Sequence, residues 1–253
     1  MTQFNTSWQG NKFLLYLRSL LFFVSTTITM LMIGPIVLLL VFFPFEYRYR
    51  LAMFWMDLVQ WGAKYFCGID YRVEGLEHIP ANGNVIYLCK HQSAWETLAL
   101  FKILLPGRLV FVLKRELLWI PVWGWAMSTL KHIAINRQLK KVALQALISQ
   151  GTARLREGFS VVIFPEGTRI APGEQRKFNA GGALLAQRSG YPVIPIAHNA
   201  GTFWPRNSFL KYPGTITVRI GPLIQTKGRK AQEINQEVEA WINATMREIE
   251  GRR

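Results

Sequence analysis

Apolar residues follow two different patterns along this chain. From Ser19 to Pro44 it reads SLLFFVSTTITMLMIGPIVLLLVFFP, without a charged side chain. That exceeds the roughly 20 residues a helix needs to cross a hydrocarbon core. A helix apolar on every face belongs in a membrane more readily than in a soluble core. No small-residue cleavage site follows, since the run ends Phe42-Phe43-Pro44-Phe45, so it does not read as a signal peptide. Gly34-Pro35 offers a kink, and Ser25, Thr26, Thr27 and Thr29 make the first half less apolar. The segment is expected either to span once or to dip in and return. Next, Arg50 to Phe66 places Leu51, Phe54, Trp55, Leu58, Trp61 and Tyr65 at three- and four-residue spacings. This predicts an amphipathic helix rich in interfacial aromatics, its apolar face directed to the bilayer or to the rest of the protein.

After about Tyr71 the period shortens. Strand-like runs recur at Asn84–Cys89, Leu109–Leu113, His132–Asn136, Ser160–Phe164, Pro192–Ala197 and Thr215–Ile220. Helical spacing intervenes at Lys140–Arg156 and closes the chain at Gln232–Ile249. Alternating strands and helices predict an α/β fold: a mixed, largely parallel sheet flanked by helices, preceded by a membrane-embedded helix and an interfacial one. The expected division is residues 1–70 as anchor and 71–253 as the globular body. Sites in such folds gather where strands end and loops begin.

Charge narrows the partners. Thirty Lys and Arg stand against fifteen Asp and Glu, a net charge of +15 in 253 residues. Such a field suits nucleic acid, an anionic bilayer or phosphorylated substrates. The basic residues are dispersed and form no recognisable nucleic-acid motif, so no nucleic-acid partner is expected. Cys67 and Cys89 are too isolated for a disulfide framework or a zinc site, and His78, His91, His132 and His198 show no metal-ligand pairing. Neither a metal nor another cofactor is expected. Lys12 and Arg18 precede the apolar run while Arg48, Arg50 and Lys64 follow it, which leaves orientation undecided by the positive-inside rule.

Two strand ends carry chemistry. NVIYLC runs into Lys90-His91-Gln92-Ser93-Ala94-Trp95-Glu96. With His91 in the loop and Glu96 in a first helical turn, the carboxylate can reach back to one ring nitrogen and leave the other to take a hydroxyl proton. Alone, such a spacing arises by chance often enough to decide little, and His91 could equally be a loop or core histidine. SVVIF runs into Phe164-Pro165-Glu166-Gly167-Thr168-Arg169. There glycine permits a tight turn, Thr168 offers a hydroxyl, and Arg169 a fork suited to phosphate. A plain strand-end turn with a solvated arginine is the alternative.

Together KHQSAWE and FPEGTR resemble the glycerolipid acyltransferases, specifically the PlsC-type 1-acyl-sn-glycerol-3-phosphate acyltransferases. Lys114-Arg115-Glu116-Leu117, with Ile120-Pro121, Gly124 and Ile135-Asn136-Arg137 beyond, is similar to the family's second block; Val193-Ile194-Pro195-Ile196 is similar to its fourth. The resemblance implies His91 as general base and Glu96 as its partner. It implies Lys114, Arg137 and Arg169 at the substrate phosphate, Glu166, Gly167 and Thr168 shaping that pocket, and Pro195 on the acyl-donor side. It further implies an acyl-CoA or acyl-carrier-protein donor, lysophosphatidic acid as acceptor, and a catalytic domain facing the cytoplasm at a bacterial inner membrane. Glycerol 3-phosphate, another lysophospholipid or an amine acceptor remain open, as do a lipid hydrolase and a non-enzymatic lipid-binding protein. The sequence departs from the family twice: Glu96 stands where Asp is usual, and Lys90 where Asn is frequent.

Overall fold

A computed structural model describes residues 10–251, Pro106 excepted. The chain opens with α1 (Lys12–Leu39), capped by Asn11, whose Oδ1 accepts from the Phe13 and Leu14 N–H groups. Pro35 lies inside the helix without ending it. The Ser25 and Thr29 hydroxyls donate to carbonyls one turn back, which satisfies them in apolar surroundings. A 3-10 turn, Leu40–Phe42, and the Phe43-Pro44 corner reverse the chain into α2 (Phe45–Cys67). Gly68 closes α2 in the left-handed region at φ 69°, its N–H donating to the Lys64 carbonyl.

The body follows as β1 (Ile69–Glu74), β2 (Ile86–Cys89), α3 (Trp95–Ile103), β3 (Arg108–Lys114), α4 (Trp123–Ser128) and β4 (Ile133–Ile135). It continues with α5 (Lys140–Arg156), β5 (Phe159–Ile163), α6 (Gly181–Ser189), β6 (Val193–His198), α7 (Ala200–Phe203), β7 (Gly214–Ile220) and α8 (Ala231–Ile249). The seven strands order as β1-β7-β6-β2-β5-β3-β4. All neighbours are parallel except β6 and β7, so the sheet is mixed and largely parallel, as the alternation predicts.

Strand residues alternate between two apolar cores, because successive side chains leave opposite faces. Tyr87, Cys89, Leu109, Phe111 and Val162 pack toward α2 and α3. Ile86, Leu88, Val110, Val112, Val161 and Ile163 pack toward α5, α6 and α8. The amphipathic helix resolves its two alternatives by using both faces: Met56, Val59, Ala63 and Cys67 enter the core, while Phe54, Trp61 and Tyr65 stay exposed.

α1 packs along α2 and meets the body toward each of its ends. Near its start the Arg18 Nε–H donates to the Phe66 carbonyl at 2.5 Å, Ser19 Oγ accepts from the Lys211 N–H at 3.0 Å, and Phe22 meets Trp204 edge-on. Near its end Gly34 abuts Val122, and Val37 packs with Ala52 and Leu130. The opposite flank presents Phe13, Leu20, Phe23, Leu31, Met32 and Leu39 to the surroundings.

Candidate active site

The site follows from the sheet order. β2, β5, β3 and β4 are adjacent and parallel, so their carboxyl ends open on one edge, where α/β folds place ligands. His91 follows β2, the FPEGTR turn follows β5, Lys114 ends β3, and Arg137 follows β4. Three of the four sequence blocks are thereby gathered by topology.

His91 Nδ1 lies 2.8 Å from Glu96 Oε1, the acid sitting in the first turn of α3 as the spacing predicts. The same oxygen accepts the Gln92 and Ser93 N–H groups at 3.0 and 2.9 Å. Burial alone would push the Glu96 carboxyl up. The hydrogen bonds from the His91 ring and the Ser93 N–H act the other way, and the net direction is down, so Glu96 is a carboxylate at neutral pH. Nδ1 therefore carries hydrogen and donates. The His91 ring stacks on Phe164, centroids 3.9 Å apart and planes at 13°. Its main chain is fixed by the N–H donating to Glu166 Oε2 at 2.7 Å and the carbonyl accepting from the Ile170 N–H at 2.8 Å.

Glu166 turns away from the open side. Its carboxyl is buried with the Lys90 ammonium, which donates to Oε1. Burial pushes the Glu166 carboxyl up, and the Lys90 charge and the His91 N–H pull against that. Glu166 thus braces the His91 loop from below. Gly167 occupies φ 72° and its N–H returns to the Phe164 carbonyl at 3.0 Å, closing the tight turn that a side chain would strain. The Gly167 carbonyl accepts from Arg137.

These residues open on a cavity of about 650 Å³. His91, Lys114, Arg137, Thr168 and Arg169 line its polar end, and Met30, Trp55, Met56, Leu98, Phe101, Phe111, Leu117, Ile120, Trp123 and Met127 its apolar walls. Helices α1 and α2 thus build part of the cavity. Pro195 is not brought there: it sits within β6, buried, and its ring packs toward Gly221 and Trp241.

Sequence reasoning passed over two residues. His198, at the end of β6, is buried with Nε2 2.8 Å from the Lys90 carbonyl, while Nδ1 accepts from the Ala200 N–H. Burial lowers its pKa, so it is neutral and donates from Nε2. Its place at a parallel strand end beside β2 was the available signal. Arg206 lines the cavity and donates to the Arg169 carbonyl. It comes from the loop before β7, with no motif to announce it. Among the described residues no cluster of His, Cys, Asp or Glu could hold a metal ion.

An α/β sheet presenting an imidazole–carboxylate pair and a ring of cations beside an apolar cavity is the equipment of a lipid acyltransferase, and a family model described as acyltransferase matches residues 70–199. A 1-acyl-sn-glycerol-3-phosphate acyltransferase of Pseudomonas aeruginosa is 50% identical over 210 residues, covering 81% of this chain and 80% of that protein. The human 1-acyl-sn-glycerol-3-phosphate acyltransferase beta is 29% identical over 183 residues, 71% of this chain and 66% of that one. The crystal structure of the 1-acyl-sn-glycerophosphate (LPA) acyltransferase PlsC from Thermotoga maritima superposes with a TM-score of 0.77 at 25% identity, covering 94% of this chain and 96% of that one. The chain therefore belongs to the 1-acyl-sn-glycerol-3-phosphate acyltransferase family.

Proposed function

We propose that this enzyme transfers an acyl group from an acyl thioester, carried by coenzyme A or an acyl-carrier protein, to the 2-hydroxyl of 1-acyl-glycerol 3-phosphate, producing phosphatidate. The observation that carries the reading is His91 on the cavity wall, its Nδ1 held 2.8 Å from Glu96 Oε1, beside Lys114, Arg137 and Arg169. With the acceptor phosphate on those cations, Nε2 takes the hydroxyl proton as the oxygen bonds to the thioester carbon. The tetrahedral intermediate then collapses, the C–S bond breaks, and the imidazolium returns its proton to the departing thiolate. Glu96 stabilises the transient imidazolium. The apolar walls align acyl chains with the reacting atoms, so proximity supplies much of the acceleration. Glu166, Gly167 and Thr168 shape the turn that presents Arg169.

Removal of the ring tests the mechanism. Purified His91→Ala should keep the wild-type melting temperature and lose thiol release with lysophosphatidic acid as acceptor. Near-normal turnover would sink the proposal. Free fatty acid in place of phosphatidate as product would mark a hydrolase.

We also infer how the enzyme meets the bilayer. α1 touches the body at both ends, through Arg18 and Ser19 and again through Gly34 and Val37. Were it to cross the membrane, Lys211 and the Arg48–Thr129 contact would be carried into hydrocarbon, at several kcal/mol each. Its apolar flank instead beds into one leaflet, with residues 71–253 as the catalytic domain on the same side. The family resemblance and the cytosolic origin of acyl thioesters favour the cytoplasmic face of a bacterial inner membrane. Labels placed before residue 10 and after residue 251 should then be equally accessible to protease from that side alone.

A further inference from the structure

Residues 204–213, between α7 and β7, carry Arg206 to the cavity wall. We infer that Arg206 is a fourth cation of the acceptor site, the one that selects a phosphomonoester headgroup over a phosphodiester or an uncharged one; this rests on the acceptor reading above. Arg206 lies beside Arg169, whose carbonyl accepts one of its N–H groups, which leaves the rest of the fork available. Among the described residues no carboxylate lines this cavity. Glu96 is spent behind His91, and Lys114 is 3.5 Å from Glu116. Among the described residues neither Arg169 nor Arg206 has an ion-pair partner within 4.0 Å. Arg169 and Arg206 line one largely apolar cavity, where two cations without a counter-charge are costly unless an anion joins them. A phosphomonoester brings about −1.5 to −2 charges and three terminal oxygens at pH 7; a diester brings one charge and two.

The loop is also built to hold that position. Its first carbonyl, of Trp204, accepts from Ser93 Oγ at 2.6 Å, which ties it to the His91 segment. The buried Lys211 ammonium donates to the Ser208 and Phe209 carbonyls at 3.0 and 2.9 Å. Phe22 and Phe23 of α1 pack on Trp204 and Phe209. Arg206 is therefore positioned in advance, and the phosphate need not order the loop as it binds.

The test uses the full-length enzyme in detergent with three glycerol lipids sharing one acyl chain: lysophosphatidic acid, lysophosphatidylcholine and monoacylglycerol, the last two measured as substrates or as competitive inhibitors. In Arg206→Gln the KM for lysophosphatidic acid should rise roughly 10- to 100-fold, as for loss of a charge-assisted hydrogen bond. Its kcat should stay within a few-fold, and affinity for the other two within about twofold. Arg206→Lys should fall between. An unchanged KM for lysophosphatidic acid, or an equal loss on all three lipids, would overturn the inference. A wild-type enzyme without preference for lysophosphatidic acid would instead overturn the acceptor reading, and this inference with it. Preference retained by both wild type and Arg206→Gln overturns only the role of Arg206.

Discussion

Lys90→Met should leave Glu166 buried without a counter-charge. Both side chains are nearly inaccessible, Lys90 at 3% and Glu166 at 1% exposure. The carboxyl's other partner is the single N–H of His91. Breaking a buried pair by removing one member costs about 3–5 kcal/mol, because the surviving charge stays desolvated. For a chain of this length each kcal/mol moves the melting temperature by about 2–4 °C, so a fall of roughly 6–20 °C is expected. The pH dependence has a definite sign. Burial already raises the Glu166 carboxyl, and loss of the ammonium raises it further. The folded variant then holds a proton that the unfolded chain gives up near its ordinary pKa of about 4.3. Its disadvantage therefore grows as pH rises through that interval and vanishes below it. Melting followed by intrinsic fluorescence in detergent should show a large deficit near pH 8 and a small one near pH 5. Lys90→Met/Glu166→Gln should recover most of the loss, since an amide oxygen still accepts the His91 N–H. A deficit under about 2 °C at pH 8, a deficit flat in pH, or a double variant no better than the single would refute the reasoning.

Two further outcomes are expected. Glu96→Gln should lower kcat by about 10²–10⁴ with little change in KM for the acceptor, because the imidazolium loses its carboxylate; Glu96→Asp should retain more activity than Glu96→Gln, and equal rates for the two would show that charge at this position is irrelevant. Lys211 is drawn down to about 8 by burial beneath α1, so the unfolded chain binds the extra proton above that value and stability gains with pH. Cys67, pushed up to about 11 by burial, opposes this from its ordinary 9 upward. Because Cys67 is common to both, the difference in melting temperature between wild type and Lys211→Met should shift in favour of wild type as pH rises from about 8 toward the ordinary lysine value of about 10.4, and parallel curves would contradict the burial argument.

What the sequence disclosed, and what it withheld, divides along physical lines. Six strands were legible because both faces of this sheet are covered, so each reads as a short apolar run. β1 was not: IDYRVE has the polar composition of an edge strand, and its burial is partial. α6, GGALLAQRS, opens on two glycines that local propensity disfavours. Packing decides there, for a side chain at Gly182 would stand 2.4 Å from Leu88 Cδ2. The apolar run disclosed the long helix α1 but not how it lies on the fold, which depends on contacts with residues as distant as Lys211 and Leu130.

The same division holds within the site. His91, Glu96 and the FPEGTR turn were readable because each chemical unit is local, made by one strand end and the residues after it. Arg206 was unreadable because it reaches Arg169 from another strand connection, and only the folded loop places it there. The two departures from the family pattern also acquire a local explanation. Lys90 supplies a charge inside the protein, and Glu166 is the buried carboxylate that answers it. Glu96 is long enough for one oxygen to collect the His91 ring and two main-chain N–H groups at once. Its second oxygen is buried with no hydrogen-bond partner among the described residues. A shorter aspartate would have to draw the start of α3 toward the ring to keep all three donors. Catalysis after Glu96→Asp therefore reports how rigidly α3 is held against α2 by Ala99, Leu100 and Ile103, and not merely whether a carboxylate is present.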